Sequence, residues 1–177
     1  MSKKAKQLLL ACAVPVLILL GMCATPLYTL MNGNEILLPT KPIDPSDPFR
    51  GDYVTLRYEA EEVPKEMVER KIVDHLQNGS NVEKVYVLLE KKDKVYTPVK
   101  VTLEKPKSGI YLKGTLDYLS QNADQKEVAY ISYSLDKYFV EDNTGTKLEE
   151  AAAKGEVLAK VKVYNGYAFL TDVIEKK

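Results

Sequence analysis

His75 is the only histidine in this 177-residue chain, so a Ser-His-Asp triad or a histidine-rich metal site would have to include it. It follows Asp74 in a segment that we expect to be helical, and no nucleophile motif accompanies it. The HExxH, GxSxG, Walker and GxGxxG patterns do not occur in the sequence. We therefore predict no catalytic residue, no metal site and no cofactor, and we interpret His75 as a surface side chain.

A Ser-Lys hydrolase requires neither histidine nor metal, and Ser46 is the only serine placed for that chemistry. Residues 51–54, Gly-Asp-Tyr-Val, resemble the start of a strand in signal-peptidase-like enzymes, which carry their nucleophile shortly before it. Ser46 lies within Asp-Pro-Ser-Asp-Pro, where the adjacent negative charges hinder activation of a nucleophile. This enzyme class is therefore an alternative and not the main hypothesis.

Charge and composition exclude further functions. Because Lys3, Lys4 and Lys6 precede a long apolar run, the rest of the chain has a net charge of about −3. A domain that binds nucleic acid presents a basic face, so we predict no nucleic-acid partner. Both cysteines, Cys12 and Cys23, fall inside the apolar run, which leaves the rest of the chain without a disulfide or a thiolate metal site.

The apolar run predicts a membrane anchor. No Asp, Glu, Lys or Arg occurs from Gln7 to Asn34, and about 20 apolar residues suffice to cross roughly 30 Å of hydrocarbon. We predict a transmembrane helix over residues 7–31, which Pro15 and Pro26 either kink or end early, near Thr25. The positive-inside rule places residues 1–6 in the cytoplasm and the remainder outside.

The alternative to an anchor is a cleaved signal peptide. The triplets at residues 21–23 and 22–24 are poor small-x-small cleavage sites, and the run is longer than a usual signal-peptide core. A lipoprotein would require a small residue before its cysteine, and Met22 precedes Cys23. A retained helix is the better interpretation.

Residues 32–50 follow the run and contain four prolines, at positions 39, 42, 45 and 48. Proline at this density favours extended backbone, so we predict a semi-rigid stalk that holds the domain away from the bilayer. The same segment could instead run along the domain as an edge segment.

Residues 51–177 form the predicted domain. Alternating apolar residues indicate strands, and the Asn165-Gly166 pair is typical of a type I′ hairpin turn. The predicted fold is mainly β, a small antiparallel barrel or sandwich with one or two short helices, preceded by the transmembrane helix. Its expected elements are a strand over Asp52–Glu59, a helix from Pro64 to Asn78-Gly79, a hairpin of Lys84–Lys91 and Tyr96–Glu104, strands over Ile110–Leu116 and Val128–Leu135, a helix over Leu148–Lys154, and a hairpin of Val157–Tyr164 and Tyr167–Ile174.

Residues 50–58 match, position for position, the motif of the GDYXXLXY family, whose named letters are Gly51, Asp52, Tyr53, Leu56 and Tyr58. Three further stretches resemble the family: Tyr111–Gly114, Tyr138–Glu141 followed by Leu148-Glu149, and the last hairpin with Gly166 before Ala168. An insertion over Asp142–Gly145 departs from the pattern. The resemblance implies a single-span protein of the bacterial cell envelope, of unknown function, whose relatives often accompany a polytopic membrane protein.

Two roles for the motif are open at the sequence level. In the structural interpretation, Gly51 supplies a turn, Asp52 accepts backbone hydrogen bonds, and Leu56 and Tyr58 share the buried face of a strand. In the binding interpretation, Arg50, Asp52 and Tyr53 form a polar contact patch. The structural role is the stronger expectation.

These observations predict a membrane-anchored, non-enzymatic accessory or interaction domain in the cell membrane. The N-terminus is cytoplasmic, the domain is extracytoplasmic, and the partners are the lipid bilayer and a polytopic membrane protein. The alternatives are the Ser-Lys hydrolase and an envelope domain that senses a ligand.

Overall fold

The computed structural model describes residues 3–42, 53–77, 83–122, 124–135, 137–139 and 150–176. Within these ranges the chain is mainly β, as predicted, after one long N-terminal helix. Two α-helices are α1 (Lys3–Asn32) and α2 (Arg70–Gln77), and residues 150–153 belong to a third. The strands are β1 (Asn34–Lys41), β2 (Tyr53–Thr55), β3 (Arg57–Tyr58), β4 (Glu62–Pro64), β5 (Glu83–Lys92), β6 (Val95–Thr102), β7 (Ile110–Gln121), β8 (Glu127–Ser132), β9 (Lys137–Phe139), β10 (Val157–Tyr164) and β11 (Tyr167–Glu175).

The strands form three groups: a four-stranded sheet in the order β11-β10-β1-β3, a five-stranded sheet in the order β4-β8-β7-β5-β6, and the pair β2-β9. The ladders between these strands are antiparallel. Alternate residues of each strand face inward, so Ile36 and Val161 of one sheet join Val87 and Leu112 of the other in one hydrophobic cluster. The two larger sheets therefore share a single core.

The apolar run forms a continuous helix. Neither Pro15 nor Pro26 ends it, so the alternative of an early end near Thr25 is wrong. Beyond Pro26 the helical bonding resumes, and the Gly33 amide donates to the Thr29 carbonyl at 2.8 Å. Residues 11–32 of this helix contain an 18-residue window with a mean hydropathy of 1.9 and are long and apolar enough to cross a membrane.

The predicted stalk is wrong over Asn34–Lys41, which is strand β1. The alternative, a segment that runs along the domain, is correct there, although β1 lies between β10 and β3 and is not an edge strand. It pairs with β10 along most of its length and with β3 at Thr40 and Lys41. Ile36 and Leu38 alternate on its buried face and are each 1% exposed, so burial favours the strand over a solvated stalk. Pro39 is tolerated because β3 begins to pair only at the next residue. The rest of the predicted stalk, residues 43–50, lies outside the described residues.

The helix predicted from Pro64 begins later, at Arg70. Residues 65–67 form a 3-10 turn, and Val68 is extended and bridges Val101 of β6. Burial of Val68 against β6 prevails over the helical spacing of Val68 and Ile72. Ile72 is buried, as the pattern predicts.

The remaining predicted strands form, and β7 extends to Gln121. The last hairpin turns at Asn165 and Gly166 with φ of 52° and 81°, as a type I′ turn requires. The described part of the predicted Leu148–Lys154 helix is helical at residues 150–153. It ends at Gly155, where the amides of Gly155 and Glu156 bond to the carbonyls of Ala152 and Ala151.

Candidate functional site

The motif segment joins two sheets. Its expected single strand is interrupted at Leu56, so that β2 pairs with β9 while β3 pairs with β1. Arg50 and the first two named residues of the motif, Gly51 and Asp52, lie outside the described residues, and for Tyr53 only the backbone is described. The predicted contact patch is therefore not among the described residues, whereas the buried part of the motif is.

Leu56 and Tyr58 are buried, as their shared face predicts, at 0% and 1% exposure. The Tyr58 hydroxyl donates a 2.6 Å hydrogen bond to the Leu135 carbonyl. A buried phenol requires such a partner, because an unpaired buried polar group is costly. This hydrogen bond thus attaches the end of the motif to residues 133–135, which follow β8.

A second tyrosine makes the reciprocal bond. Tyr133 donates from its hydroxyl to the Ala60 carbonyl at 2.9 Å, and its burial, followed by the nearby charge of Glu61, raises the pKa of this phenol. Residues 58–60 and 133–135 are therefore linked twice, once from each side. We call these two bonds the tyrosine clamp.

Gly114 makes room for this clamp. A Cβ atom at this position would lie 2.6 Å from Cγ2 of Ile131 and 3.0 Å from the ring of Tyr133. The Gly114 backbone conformation is ordinary, so the requirement is for space. This explains a glycine in the middle of β7, which would otherwise weaken the strand.

A cleft of about 510 Å³ lies beside the motif. Arg57 and Glu61 form an ion pair at 3.1 Å on one side. On the other side the rings of Tyr118 and Tyr130 stack with centroids 4.7 Å apart. Desolvation, followed by the charges of Glu62 and Tyr118, raises the pKa of Tyr130. The cleft offers a stacking surface and a paired guanidinium to a bound group.

A second, open cleft of about 810 Å³ lies at the far end of β1. Lys41 there is paired with Glu62 at 2.5 Å, and Lys65 with Glu127 at 2.9 Å. The lining also contains Glu59, Glu66, Asp124, Lys126 and Lys176, so its five carboxylates outnumber its three ammonium groups and the cleft is mildly acidic.

The other candidates from the sequence are dispersed or not described. His75 lies on the exposed side of α2, and it lines neither cleft. Over the ranges that the structure describes, no group of three or more His, Cys, Asp or Glu side chains is placed to hold a metal ion. Ser46 and the insertion Asp142–Gly145 lie outside those ranges.

The end of α1 is built into the domain, a feature that the sequence analysis missed. Thr29 is completely buried, and Lys162 of β10 donates from Nζ to the Leu30 carbonyl at 2.9 Å. A Cβ on Gly33 would lie 2.4 Å from the Thr29 carbonyl oxygen and 3.2 Å from the Val163 nitrogen, so only glycine fits. A glycine directly after a long apolar helix was the available signal.

The tip of the last hairpin is attached to the five-stranded sheet. The Tyr111 hydroxyl donates to Oδ1 of Asn165 at 2.8 Å, and the Lys113 amide donates to the Gly166 carbonyl at 2.8 Å. A Cβ on Gly166 would lie 2.6 Å from the Tyr111 ring. Tyr111–Gly114 and the last hairpin, two of the stretches that resemble the GDYXXLXY family, thus meet at this point.

Comparison with known proteins gives one match. No curated protein and no solved structure matches the chain. Residues 15–173 match the family model described as GDYXXLXY protein, a range that includes most of α1 and nearly all of the β domain. The chain therefore belongs to the GDYXXLXY family.

Proposed function

We propose that this chain is a single-span membrane protein whose β domain is a non-enzymatic interaction domain, held in a fixed orientation close to the membrane surface. The observation that carries this proposal is the junction at Gly33. One residue separates the end of α1 at Asn32 from the start of β1 at Asn34, and α1 contacts the domain through its last turn. A domain attached in this way follows its anchor as one body.

Retention of the helix is supported by its continuity. Residues 21–24, which hold the two candidate cleavage triplets, lie inside α1 and not in an extended segment. Lys3, Lys4 and Lys6 precede the apolar residues, and the positive-inside rule then puts the N-terminus in the cytoplasm and the domain outside.

A role in contact rather than catalysis is supported by the cleft beside the motif. The stacked rings of Tyr118 and Tyr130 and the Arg57–Glu61 pair are groups that bind a partner surface well. The family resemblance suggests a polytopic membrane protein as that partner. Such a partner would be within reach because the domain is held near the bilayer.

The test is site-specific photo-crosslinking of the full chain in native membranes. A photo-reactive phenylalanine replaces Tyr118, with Lys94 in the turn between β5 and β6 as the matched exposed control. We expect a crosslinked product at position 118, and a multi-span membrane protein in that product by mass spectrometry. Recovery of only the monomer at both positions would contradict the proposal.

A further inference from the structure

A continuous aromatic and apolar surface covers the place where α1 meets the last hairpin. Its six side chains are 37–80% exposed, and we call them the junction patch: Leu27, Tyr28 and Met31 of α1, and Tyr164, Tyr167 and Phe169 of the hairpin. Exposed aromatic residues grouped in this way indicate a surface that is covered in the working protein.

The hairpin residues of the junction patch share one face of the four-stranded sheet. Tyr164 is opposite Tyr167 in the register, and Lys162 is opposite Phe169. Because alternate residues of a strand face the same way, these four side chains point to one side. That side is the one on which Lys162 reaches the Leu30 carbonyl, so the hairpin presents its aromatic face to α1.

The junction patch is continuous with the apolar surface of α1. The rings of Tyr28 and Tyr164 meet edge to face with centroids 4.7 Å apart, and their hydrogen bond raises the pKa of Tyr164. The apolar stretch Leu8–Met31 lies within α1, has 24 residues and is about 36 Å long, more than the hydrocarbon thickness of about 30 Å. The last turn of α1 then lies at the boundary with the headgroups, and Tyr164 lies beside it.

Tyrosine suits this boundary because its ring is apolar and its hydroxyl reaches water. Hydrogen bonds also attach the hairpin tip to the five-stranded sheet, since Tyr111 and Lys113 of β7 donate to Asn165 and Gly166. A rigid tip can transmit its position to the whole domain.

We propose that the tip of the β10–β11 hairpin lies among the lipid headgroups of the membrane that α1 crosses, and that it is a second attachment that fixes the orientation of the domain. This inference rests on the proposed membrane span and not on the proposed protein partner. The occupant of the junction patch is therefore the lipid surface itself.

The test uses the fact that the chain contains no tryptophan, so that one introduced tryptophan is an unambiguous reporter. The full chain with Tyr167→Trp is reconstituted into phosphatidylcholine nanodiscs, with lipids either unmodified or brominated on the upper part of their acyl chains. Phe169→Trp is a second reporter on the same face.

The matched control is Tyr118→Trp. Tyr118 is 54% exposed, more than Tyr167, but it lines the cleft that also contains Arg57. In the register between β1 and β3, Arg57 lies opposite Lys41. Lys41 is seven residues, or about 23 Å, from the start of β1 at Asn34.

We expect brominated lipid to lower the fluorescence of Tyr167→Trp about twofold and to leave Tyr118→Trp almost unchanged, as a headgroup-level aromatic requires. Equal quenching of the tryptophans at positions 167 and 118 would overturn the inference. The absence of quenching at both 167 and 169 would also overturn it. Chain that stays out of the nanodiscs would refute the membrane span, and this inference with it. The partner proposal is tested separately by the crosslink at position 118.

Discussion

Replacing Tyr58 by phenylalanine tests whether the family motif stabilises the fold through the tyrosine clamp. Phenylalanine keeps the buried ring and removes only the hydroxyl that donates to the Leu135 carbonyl at 2.6 Å. Because Tyr58 is 1% exposed, water cannot readily take the place of the lost donor. The variant therefore removes the hydrogen bonding of the hydroxyl and keeps the packing of the ring.

The expected loss of unfolding free energy is about 1–3 kcal/mol, the usual cost of leaving a buried acceptor unpaired. With a urea slope of about 2 kcal/mol per molar, a loss of 2 kcal/mol lowers the unfolding midpoint by about 1 M. The assay is urea unfolding of the full chain in detergent micelles, followed by the near-ultraviolet circular dichroism of its tyrosines.

Tyr118→Phe is the control, since its side chain is exposed and we expect a loss below about 0.5 kcal/mol. Tyr133→Phe removes the reciprocal bond to the Ala60 carbonyl, and because both bonds link the same two segments, the double variant should show a coupling of at least about 0.5 kcal/mol. If Tyr58→Phe unfolds at the same urea concentration as Tyr118→Phe, the assignment of a stabilising role to this motif residue is wrong.

Three further perturbations follow from the same region. Leu56→Ala should lower the unfolding free energy by about 2–5 kcal/mol, because the side chain is completely buried and leaves a cavity; a loss below about 1 kcal/mol would contradict this. Gly114→Ala should lower the unfolding free energy by about 1–3 kcal/mol in the same assay, because its Cβ would lie 2.6 Å from Cγ2 of Ile131. An unchanged midpoint would contradict this and would show that β7 shifts to make room for the methyl group. Raising the pH should also destabilise the fold, since burial raises the pKa of Tyr133 above its ordinary value of 10.0 and the native state then retains a proton that the unfolded state loses. The contribution is fully present below pH 10 and falls above it by about 1.4 kcal/mol per pH unit, so the urea midpoint of Tyr133→Phe should depend less steeply on pH than that of the unmodified chain.

The elements that the sequence predicted well are those whose signals are local. The Asn165-Gly166 turn requires positive φ at both residues, and this pair of residue types supplies it without help from the rest of the fold. The hairpin of β5 and β6 likewise combines alternating apolar residues with a short turn.

The elements that were missed depend on distant partners. The prolines of residues 32–50 favoured a stalk, yet Ile36 and Leu38 are buried because β10, more than a hundred residues later, pairs beside them. Val68 has helical spacing from Ile72, but it contacts Val101 on β6 and is extended. In both places tertiary burial prevailed over a local preference.

The candidate site was partly predictable for the same reason. Period-2 alternation placed Leu56 and Tyr58 on the buried face, because that rule needs only the strand itself. It could not show that the strand breaks at Leu56 or that Tyr58 bonds to Leu135, since both depend on which segments lie opposite. The contact between Tyr28 and Tyr164 was equally hidden, because it joins α1 to β10, which is more than a hundred residues away in the sequence.

The stretches that resemble the family are far apart in the sequence, and the structure joins them in pairs. β2 of the motif pairs with β9, which contains the start of the stretch Tyr138–Glu141. The stretch Tyr111–Gly114 is hydrogen-bonded to the turn at Gly166. The first contact fixes the segment that crosses between sheets, and the second fixes the hairpin that packs against α1. Substitutions at either contact should therefore act on folding and orientation, whereas exposed residues such as Tyr167 and Tyr118 can change without breaking a bond of the fold. Contacts with lipid or with a partner are accordingly expected at those exposed residues, and the motif is expected to hold them in position.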